Sequence, residues 1–452
     1  MDPYFTHKFV SFGDREAIQF RDRVVTYNNL HQTVKQYLML LKSQKIEPGA
    51  VVSLEGNFSP SVVALFVALM ENRNIIVPVS PAAFQRNEEL LEEAFVTCRI
   101  RATQNDHVEV APTGTHGTTE LIGKLQKDNA PGLVLFSSGS TGKSKAIIHN
   151  LEQLSKRYID TTKKSSRRIL IFLLFDHIGG INTLLYTLAT GSCLIIPEKN
   201  EPDEICRSIQ TYRANLLPTT PSFLNLLLLS GAYDNYDLSS LKFISYGTEP
   251  MPDTTVMRLK EKFPKIRFIQ TYGLSEVGIL TPRANPNDAQ WFKLDPSEAE
   301  HKIVEGQLWL RTRTNMLGYL NAESRITEDG WFNTEDAVEE KDGYIRILGR
   351  TSELINVGGQ KVLPQEIENV IMKMDGIEDV LVYGEPHPIV GQIVAVHIAL
   401  KPTDSVSSPP EVRAQIRTHC SNHLERFKIP AKIEIVEEPL VSSRFKKQRT
   451  HT

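Results

Sequence analysis

Leu135-Phe136-Ser137-Ser138-Gly139-Ser140-Thr141-Gly142-Lys143-Ser144-Lys145 joins an apolar strand to a cluster of glycines, hydroxyls and lysines. Glycine lets backbone N–H groups turn toward an anion, hydroxyls add donors, and lysines neutralise charge, so the residue types suit a polyphosphate. A Walker A loop needs four residues between its glycines. Gly139 and Gly142 enclose only Ser140 and Thr141, which excludes it. The same composition also suits a solvated surface loop, so the rest of the chain must decide. Two further clusters stand behind apolar runs: Tyr246-Gly247-Thr248-Glu249-Pro250, and Thr271-Tyr272-Gly273-Leu274-Ser275-Glu276 after Phe268-Ile269-Gln270.

The elements that must hold these clusters follow from periodicity. Apolar runs of four to eight residues recur at 50–54, 133–136, 168–174, 192–196 and 241–245, between helical patterns. That alternation predicts βα units around buried, largely parallel sheets, an α/β fold. Leu30, Val34, Leu38 and Leu41 after Thr26, and Ile367, Val370, Ile371 and Met374 behind Pro364, predict two core-facing helices. The stretch 105–131, rich in Thr, Gly and His, reads as a linker between sheet systems or the closure of a sub-lobe. A hairpin is expected at Asp342-Gly343-Tyr344, and after Gly349-Arg350 a compact segment of its own. The expected division is a large domain over 1–349, built of βα sheet sub-lobes, and a small α+β C-terminal domain over 350–452.

Composition narrows the class. The 452 residues, 40% hydrophobic, are enough for two or three packed units. Fifty-one basic side chains against 54 acidic ones leave a net charge of -3, with no basic stripe, so nucleic acid is not an expected partner. Cys98, Cys193, Cys206 and Cys420 form no C-x-x-C pair, which argues against zinc or a disulfide framework and favours a cytoplasmic setting. The first residues lack a leader pattern and the longest uncharged apolar run, 62–70, is too short to span a bilayer, so no transmembrane segment is expected.

Taken in order along nearly the whole chain, these segments resemble the adenylate-forming superfamily of acyl-CoA synthetases, luciferases and peptide-synthetase adenylation domains. The phosphate loop resembles that family's signature at Ser138 to Lys145. Thr26-Tyr27-Asn28-Asn29-Leu30 and Leu54-Glu55-Gly56-Asn57-Phe58-Ser59-Pro60 are similar to its early structural segments. Trp331-Phe332-Asn333-Thr334-Glu335-Asp336 resembles Gly-Trp-x-x-Thr-Gly-Asp, with Glu335 in place of Gly, a departure expected to alter the local backbone. Gly349-Arg350-Thr351-Ser352-Glu353 is similar to the hinge, with Ser352 where relatives carry Asp or Lys. Lys446-Lys447-Gln448-Arg449 resembles the terminal Gly-Lys-x-x-Arg segment, with Phe445 where Gly is usual.

The resemblance implies a division of labour. Ser137, Ser138, Gly139, Ser140, Thr141, Gly142, Lys143 and Lys145 would hold the ATP phosphates. Tyr246, Gly247, Thr248, Thr271, Tyr272 and Gly273 would line the adenine, with the Tyr272 ring flat against it. Asp336 and Arg350 would reach the ribose, Ser275 the α-phosphate, and Glu276 would offer Mg²⁺ a hard carboxylate. Lys446, with Lys447 as the alternative, would bridge substrate carboxylate and α-phosphate. Phe175, Asp176, His177 and Gly179 would line the acyl pocket and thiol tunnel, joined by Gly359 of a small domain that swings about Ser352.

The implied reaction is carboxylate attack on the α-phosphorus of ATP, release of pyrophosphate, and transfer of the acyl group to coenzyme A. It needs no general base, because a carboxylate is already ionised at neutral pH. The implied partners are a small-molecule carboxylic acid and coenzyme A, and the sequence is compatible with a homodimer. Two alternatives stay open. One is adenylation of an amino acid or acyl group for a carrier-protein phosphopantetheine; in amino-acid-activating relatives an Asp after Phe, as Asp176 follows Phe175, pairs with the substrate ammonium. The other is a non-catalytic nucleotide or acyl binder. His177-Ile178-Gly179-Gly180 and Gly384-Glu385-Pro386-His387-Pro388 resemble the fatty-acid and aryl-acid CoA ligase branch instead.

Overall fold

The computed structural model describes residues 4–81, 87–103, 107–115, 117–137, 144–249, 251–285, 288, 290–401 and 408–436. The chain is mixed α/β, with a large N-terminal part and a smaller C-terminal one. Two seven-stranded sheets organise the first. One runs Arg267–Gln270, Phe243–Tyr246, Leu216–Thr219, Arg168–Leu170, Cys193–Ile196, Glu16–Phe20, Arg23–Thr26, and is parallel except for its last hairpin. The other runs Gly318–Tyr319, Lys145–Asn150, Gly132–Ser137, Ile75–Val79, Val51–Glu55, Cys98–Ala102, Val108–Pro112.

Two helices, Pro60–Glu71 and Ile178–Thr190, are buried on almost every face and belong to one apolar cluster with residues of both sheets. A helix apolar all round has no solvent face to offer, so it lies inside the core. Gly180 shows how closely Ile178–Thr190 is packed: a Cβ there would stand 2.0 Å from the Leu174 carbonyl oxygen. The Gly179-Gly180 pair therefore has a packing reason for its small size.

The two expected helices form as Tyr27–Ser43, capped by the Thr26 hydroxyl accepting the Asn29 N–H at 3.1 Å, and as Pro364–Ile371. Strand boundaries move: Arg168–Leu170 stops four residues before 174, and Phe243–Tyr246 starts two residues after 241. The stretch 105–131 is more than a linker. It carries the edge strand Val108–Pro112 and the helix Glu120–Lys127, whose Ile122 and Leu125 are buried. An edge strand pairs on one side only and the helix buries only those two apolar residues, so neither left a strong period.

A six-stranded antiparallel sheet follows, ordered Arg283–Ala284, Trp291–Lys293, Tyr344–Arg350, Phe332–Lys341, Gln307–Thr312, Ala299–Val304. The expected hairpin at Asp342-Gly343 joins its two longest strands. Beyond the short turn Thr351–Glu353, the strands Ile355–Val357, Gln360–Val362, Ile377–His387, Gly391–Leu400 and Lys432–Ile435 form a separate sheet with its own apolar cluster.

Candidate functional site

Three parallel strands set the site's rim. Thr219, Tyr246 and Gln270 are in register at their ends, so the residues that follow emerge side by side. In open α/β sheets this carboxyl edge is where ligands gather. The Tyr246 carbonyl accepts both the Thr271 N–H at 2.8 Å and the Thr271 hydroxyl at 3.0 Å. These two hydrogen bonds draw the second strand end against the third. A Cβ on Gly247 would lie 2.3 Å from Thr271 Oγ1 and 2.8 Å from its carbonyl oxygen, so only glycine fits. Thr248 then takes a φ of +76°, and its buried hydroxyl oxygen has no hydrogen-bond partner.

After Thr271 the chain forms a small antiparallel pair, Tyr272–Leu274 with Gly278–Leu280, whose turn carries Ser275 and Glu276. Three contacts hold the turn. His149 Nε2 meets the Ser275 carbonyl at 2.6 Å, the Met316 N–H donates to the Glu276 carbonyl at 2.7 Å, and the Tyr319 hydroxyl donates to Glu276 Oε1 at 3.0 Å. Burial pushes the His149 imidazole down to about 4. It is therefore neutral at neutral pH, and its Nε2–H is the donor.

Tyr319 ties this turn to the base of the phosphate loop. Its ring lies 5.1 Å below Lys145 Nζ, and Lys145 stands opposite Ser137 across an antiparallel pair. Asn321 closes the same base, accepting the Ala146 N–H at 2.8 Å and donating to the Ser144 carbonyl at 2.9 Å. Ser138, Gly139, Ser140, Thr141, Gly142 and Lys143 lie outside the described residues, as do Lys446 and Lys447.

The ribose candidates form a connected set. Asp336, 4% exposed, accepts the Tyr272 hydroxyl on Oδ2 at 2.5 Å and meets Arg350 Nε through Oδ1 at 3.2 Å. Asp336 and Arg350 are cross-strand partners, which explains how residues fourteen apart in sequence come together. Burial raises the Asp336 carboxyl above its ordinary range, opposed by Arg350 and the Tyr272 hydroxyl. Burial also works to lower the Arg350 guanidinium, but Asp336, then Glu276 and Tyr272, push it up overall. Tyr272 itself is 9% exposed, with its ring stacked on Phe292 at 5.7 Å. The Tyr272 hydroxyl is held by the Asp336 carboxylate, and one face of its ring by Phe292.

Glu335 occupies the left-handed region at φ +61°, a conformation that glycine takes without steric cost and residues with a Cβ adopt rarely. Its N–H donates to Asn333 Oδ1 at 2.8 Å, its carboxylate pairs with Arg325, and its carbonyl accepts the Thr351 hydroxyl at 3.1 Å. Ser352 is exposed in the turn Thr351–Glu353, and Gly359 lies in an exposed hairpin turn, its N–H on Asn356 Oδ1 at 3.0 Å.

A cavity of about 690 Å³ runs from Gly247, Thr248 and Thr271 between the parallel sheet and the helix Ile178–Thr190. Of the residues expected in an acyl pocket, Gly179 lines it and Phe175, Asp176 and His177 do not. Phe175, 1% exposed, packs edge-on against Phe58 and Phe66 as a core side chain. Asp176 is buried and accepts the Ser80 hydroxyl at 2.8 Å, and His177 caps the helix by accepting the Gly179 N–H at 3.1 Å. Sequence reasoning did not find Tyr319, Asn321 or His149: Tyr319 and His149 belong to other strands and Asn321 to the bend after one of them, and none shares a spacing with the motifs they support.

The fold is that of an α/β protein with a small C-terminal sheet domain. The family described as AMP-binding enzyme matches residues 5–320, and AMP-binding enzyme C-terminal domain matches residues 366–447. The chain belongs to the AMP-binding enzyme family. It is similar to 3-[(3aS,4S,7aS)-7a-methyl-1,5-dioxo-octahydro-1H-inden-4-yl]propanoyl:CoA ligase of Mycobacterium tuberculosis, 28% identical with 67% of this chain and 62% of that protein covered. It is also similar to indoleacetate–CoA ligase of Aromatoleum aromaticum, 24% identical with 94% and 92% covered. The match thus spans about six tenths of the length of the first curated relatives. Among solved structures, the anthranilate CoA ligase AuaEII in complex with anthranoyl-AMP matches with a TM-score of 0.83 and 20% identity, over 99% of this chain and 96% of that one. That likeness establishes the fold. No helix among the described residues is long and apolar enough to cross a membrane.

Proposed function

We propose that this chain activates a carboxylic acid with ATP as an acyl-AMP, releasing pyrophosphate, and then transfers the acyl group to coenzyme A. The observation that carries the reading is the convergence of the Tyr272–Asp336–Arg350 set with the Glu276 turn and the base of the phosphate loop. Relatives named as CoA ligases in Mycobacterium tuberculosis, Humulus lupulus and Aromatoleum aromaticum support the acid and the thiol as substrates.

In the first step a carboxylate oxygen bonds to the α-phosphorus as the bond to the bridging oxygen breaks and pyrophosphate leaves. Positioning and charge neutralisation supply most of the acceleration in such a transfer. Asp336 and Arg350 orient the ribose, Ser275 the α-phosphate, and Lys446 offsets the repulsion between carboxylate and phosphate. In the second step the thiol sulfur bonds to the acyl carbon, the acyl–oxygen bond breaks, and AMP leaves while the thiol proton goes to solvent. Arg350 begins the C-terminal domain, 350–452, and Ser352 is its pivot.

Mg²⁺ fits the residues present. No cluster of three metal-ligating side chains occurs among the described residues, and Mg²⁺ is ordinarily held by one or two carboxylates plus substrate phosphates. Glu276, half-buried with one oxygen held by Tyr319, would be that carboxylate. Bound there, Mg²⁺ would neutralise charge on the departing pyrophosphate.

The burial of Asp176 outside the cavity disfavours the amino-acid reading, since it is not placed to meet a substrate ammonium. The four free cysteines agree with a cytoplasmic setting. The test is pyrophosphate release by wild type and Lys446→Ala across fatty, aryl and amino acids, with and without coenzyme A. Acid-dependent release that collapses in the variant is expected. Turnover of α-amino acids alone, or tight ATP binding with no release, would overturn the proposal.

A further inference from the structure

The far end of the 690 Å³ cavity differs chemically from the end at Gly247. There it is lined by Lys163, Lys164 and Arg167, with Tyr186 and Ser165 beside them. Strand register fixes the distance between the ends. The Arg167 guanidinium lies 4.8 Å over the Phe243 ring, and Phe243 opens the strand Phe243–Tyr246 that Gly247 follows, four residues on. At roughly 3.3 Å per residue, the two levels are about 13 Å apart. The walls between them are mixed: Ile169, Leu216 and Ile269 from the sheet, Asn182, Thr183 and Tyr186 from the helix.

Charge at this mouth is one-sided. Lys163 and Lys164 are exposed, and Arg167 donates to the Tyr186 hydroxyl at 3.0 Å. Lys8 and Arg15 add two more positive charges, ending on the Thr161 and Ser165 carbonyls. The acidic side chains nearby are already matched: Asp160 to Lys156 at 3.3 Å, Glu16 to Arg168, and Glu298 to Arg157 at 3.8 Å. An apolar tail arriving here would desolvate a guanidinium without giving it an acceptor, whereas an anion would give it a charge-assisted hydrogen bond.

From this arrangement we propose that the acid this chain activates carries a second anionic group at its far end, received by Arg167 with Lys163 and Lys164 around it. The inference rests on the adenylating reading above and narrows its substrate to bifunctional acids. Arg167 is the specificity-determining contact, because its guanidinium is held in place by Tyr186 and Phe243.

The test compares decanedioic with decanoic acid, and hexanedioic with hexanoic acid, by kcat/KM for pyrophosphate release from full-length wild type, Arg167→Leu and Arg167→Lys. Wild type should favour the dicarboxylate of at least one pair by about tenfold or more, the effect of one charged hydrogen bond. Arg167→Leu should bring that ratio close to one, and Arg167→Lys should keep part of it. Should Arg167→Leu fail to fold, Lys163→Gln/Lys164→Gln is expected to lower the ratio severalfold. A wild-type preference for monocarboxylates, or a ratio that none of these variants changes, overturns this inference and leaves adenylation standing. Failure to turn over any acid overturns both.

Discussion

Replacing Asp336 by Asn tests whether the buried carboxylate serves nucleotide binding or only strand pairing. The carboxylate is 4% exposed and holds the Tyr272 hydroxyl at 2.5 Å and Arg350 Nε at 3.2 Å. An ionised carboxylate has about four acceptor positions, so about two remain for a ribose diol. The amide turns one oxygen into a donor and removes the charge that faces Arg350. A hydrogen bond to a charged group contributes about 1.5–3 kcal/mol. The Arg350 side chain is 46% exposed and keeps access to water, which places the loss near the lower end. Affinity for ATP should then fall about ten- to thirtyfold, at 1.4 kcal/mol per factor of ten. Titration calorimetry with ATP measures it, alongside Tyr272→Phe, which keeps the charge and frees one acceptor. That variant should lose unfolding stability more than affinity. If folded Asp336→Asn binds ATP as tightly as wild type, the ribose role is wrong.

Three further outcomes follow from the geometry. Ala at Gly247 would place a Cβ 2.3 Å from Thr271 Oγ1, so Gly247→Ala should cut pyrophosphate release at least severalfold while circular dichroism stays native; adding Thr271→Ala should rescue it only partly, because the carbonyl at 2.8 Å remains. At Glu335, φ +61° suits glycine and opposes a β-branched residue, so urea unfolding should show Glu335→Gly within about 1 kcal/mol of wild type and Glu335→Val destabilised by about 1–3 kcal/mol; equal values for the two would refute the left-handed conformation. His149, depressed to about 4 by burial, is neutral in the fold while the unfolded chain takes up a proton below about 6.5. Its contribution is complete above that pH and fades as pH drops toward 4, by up to about 1.4 kcal/mol per unit. Urea midpoints at pH 7.5 and 5 should reveal a slope that His149→Gln flattens, and identical slopes would count against the assignment.

Much of this protein was legible as sequence because its signals are local. A Gly, hydroxyl and lysine loop behind an apolar run, a Tyr-Gly turn bearing Ser and Glu, and alternating strand and helix periods each depend on neighbours a few residues away. These sufficed for the α/β class and the two-part organisation, whereas Asp336, Arg350 and Glu276 were named together only through the resemblance to a known family. Tertiary structure alone decided which side chains stand behind that set. Tyr319 reaches Glu276 because Gly318–Tyr319 adds to the sheet beside Lys145–Asn150, a pairing between segments far apart in the chain. Phe175 was read as a pocket wall from its place in a motif, yet it packs against Phe58 and Phe66, since a large apolar side chain gains more by full burial in the core than on a cavity surface. The basic mouth at Arg167 divides the two sources: Lys163, Lys164 and Arg167 stand within one five-residue stretch of sequence, but only the sheet register makes that stretch the end of one cavity.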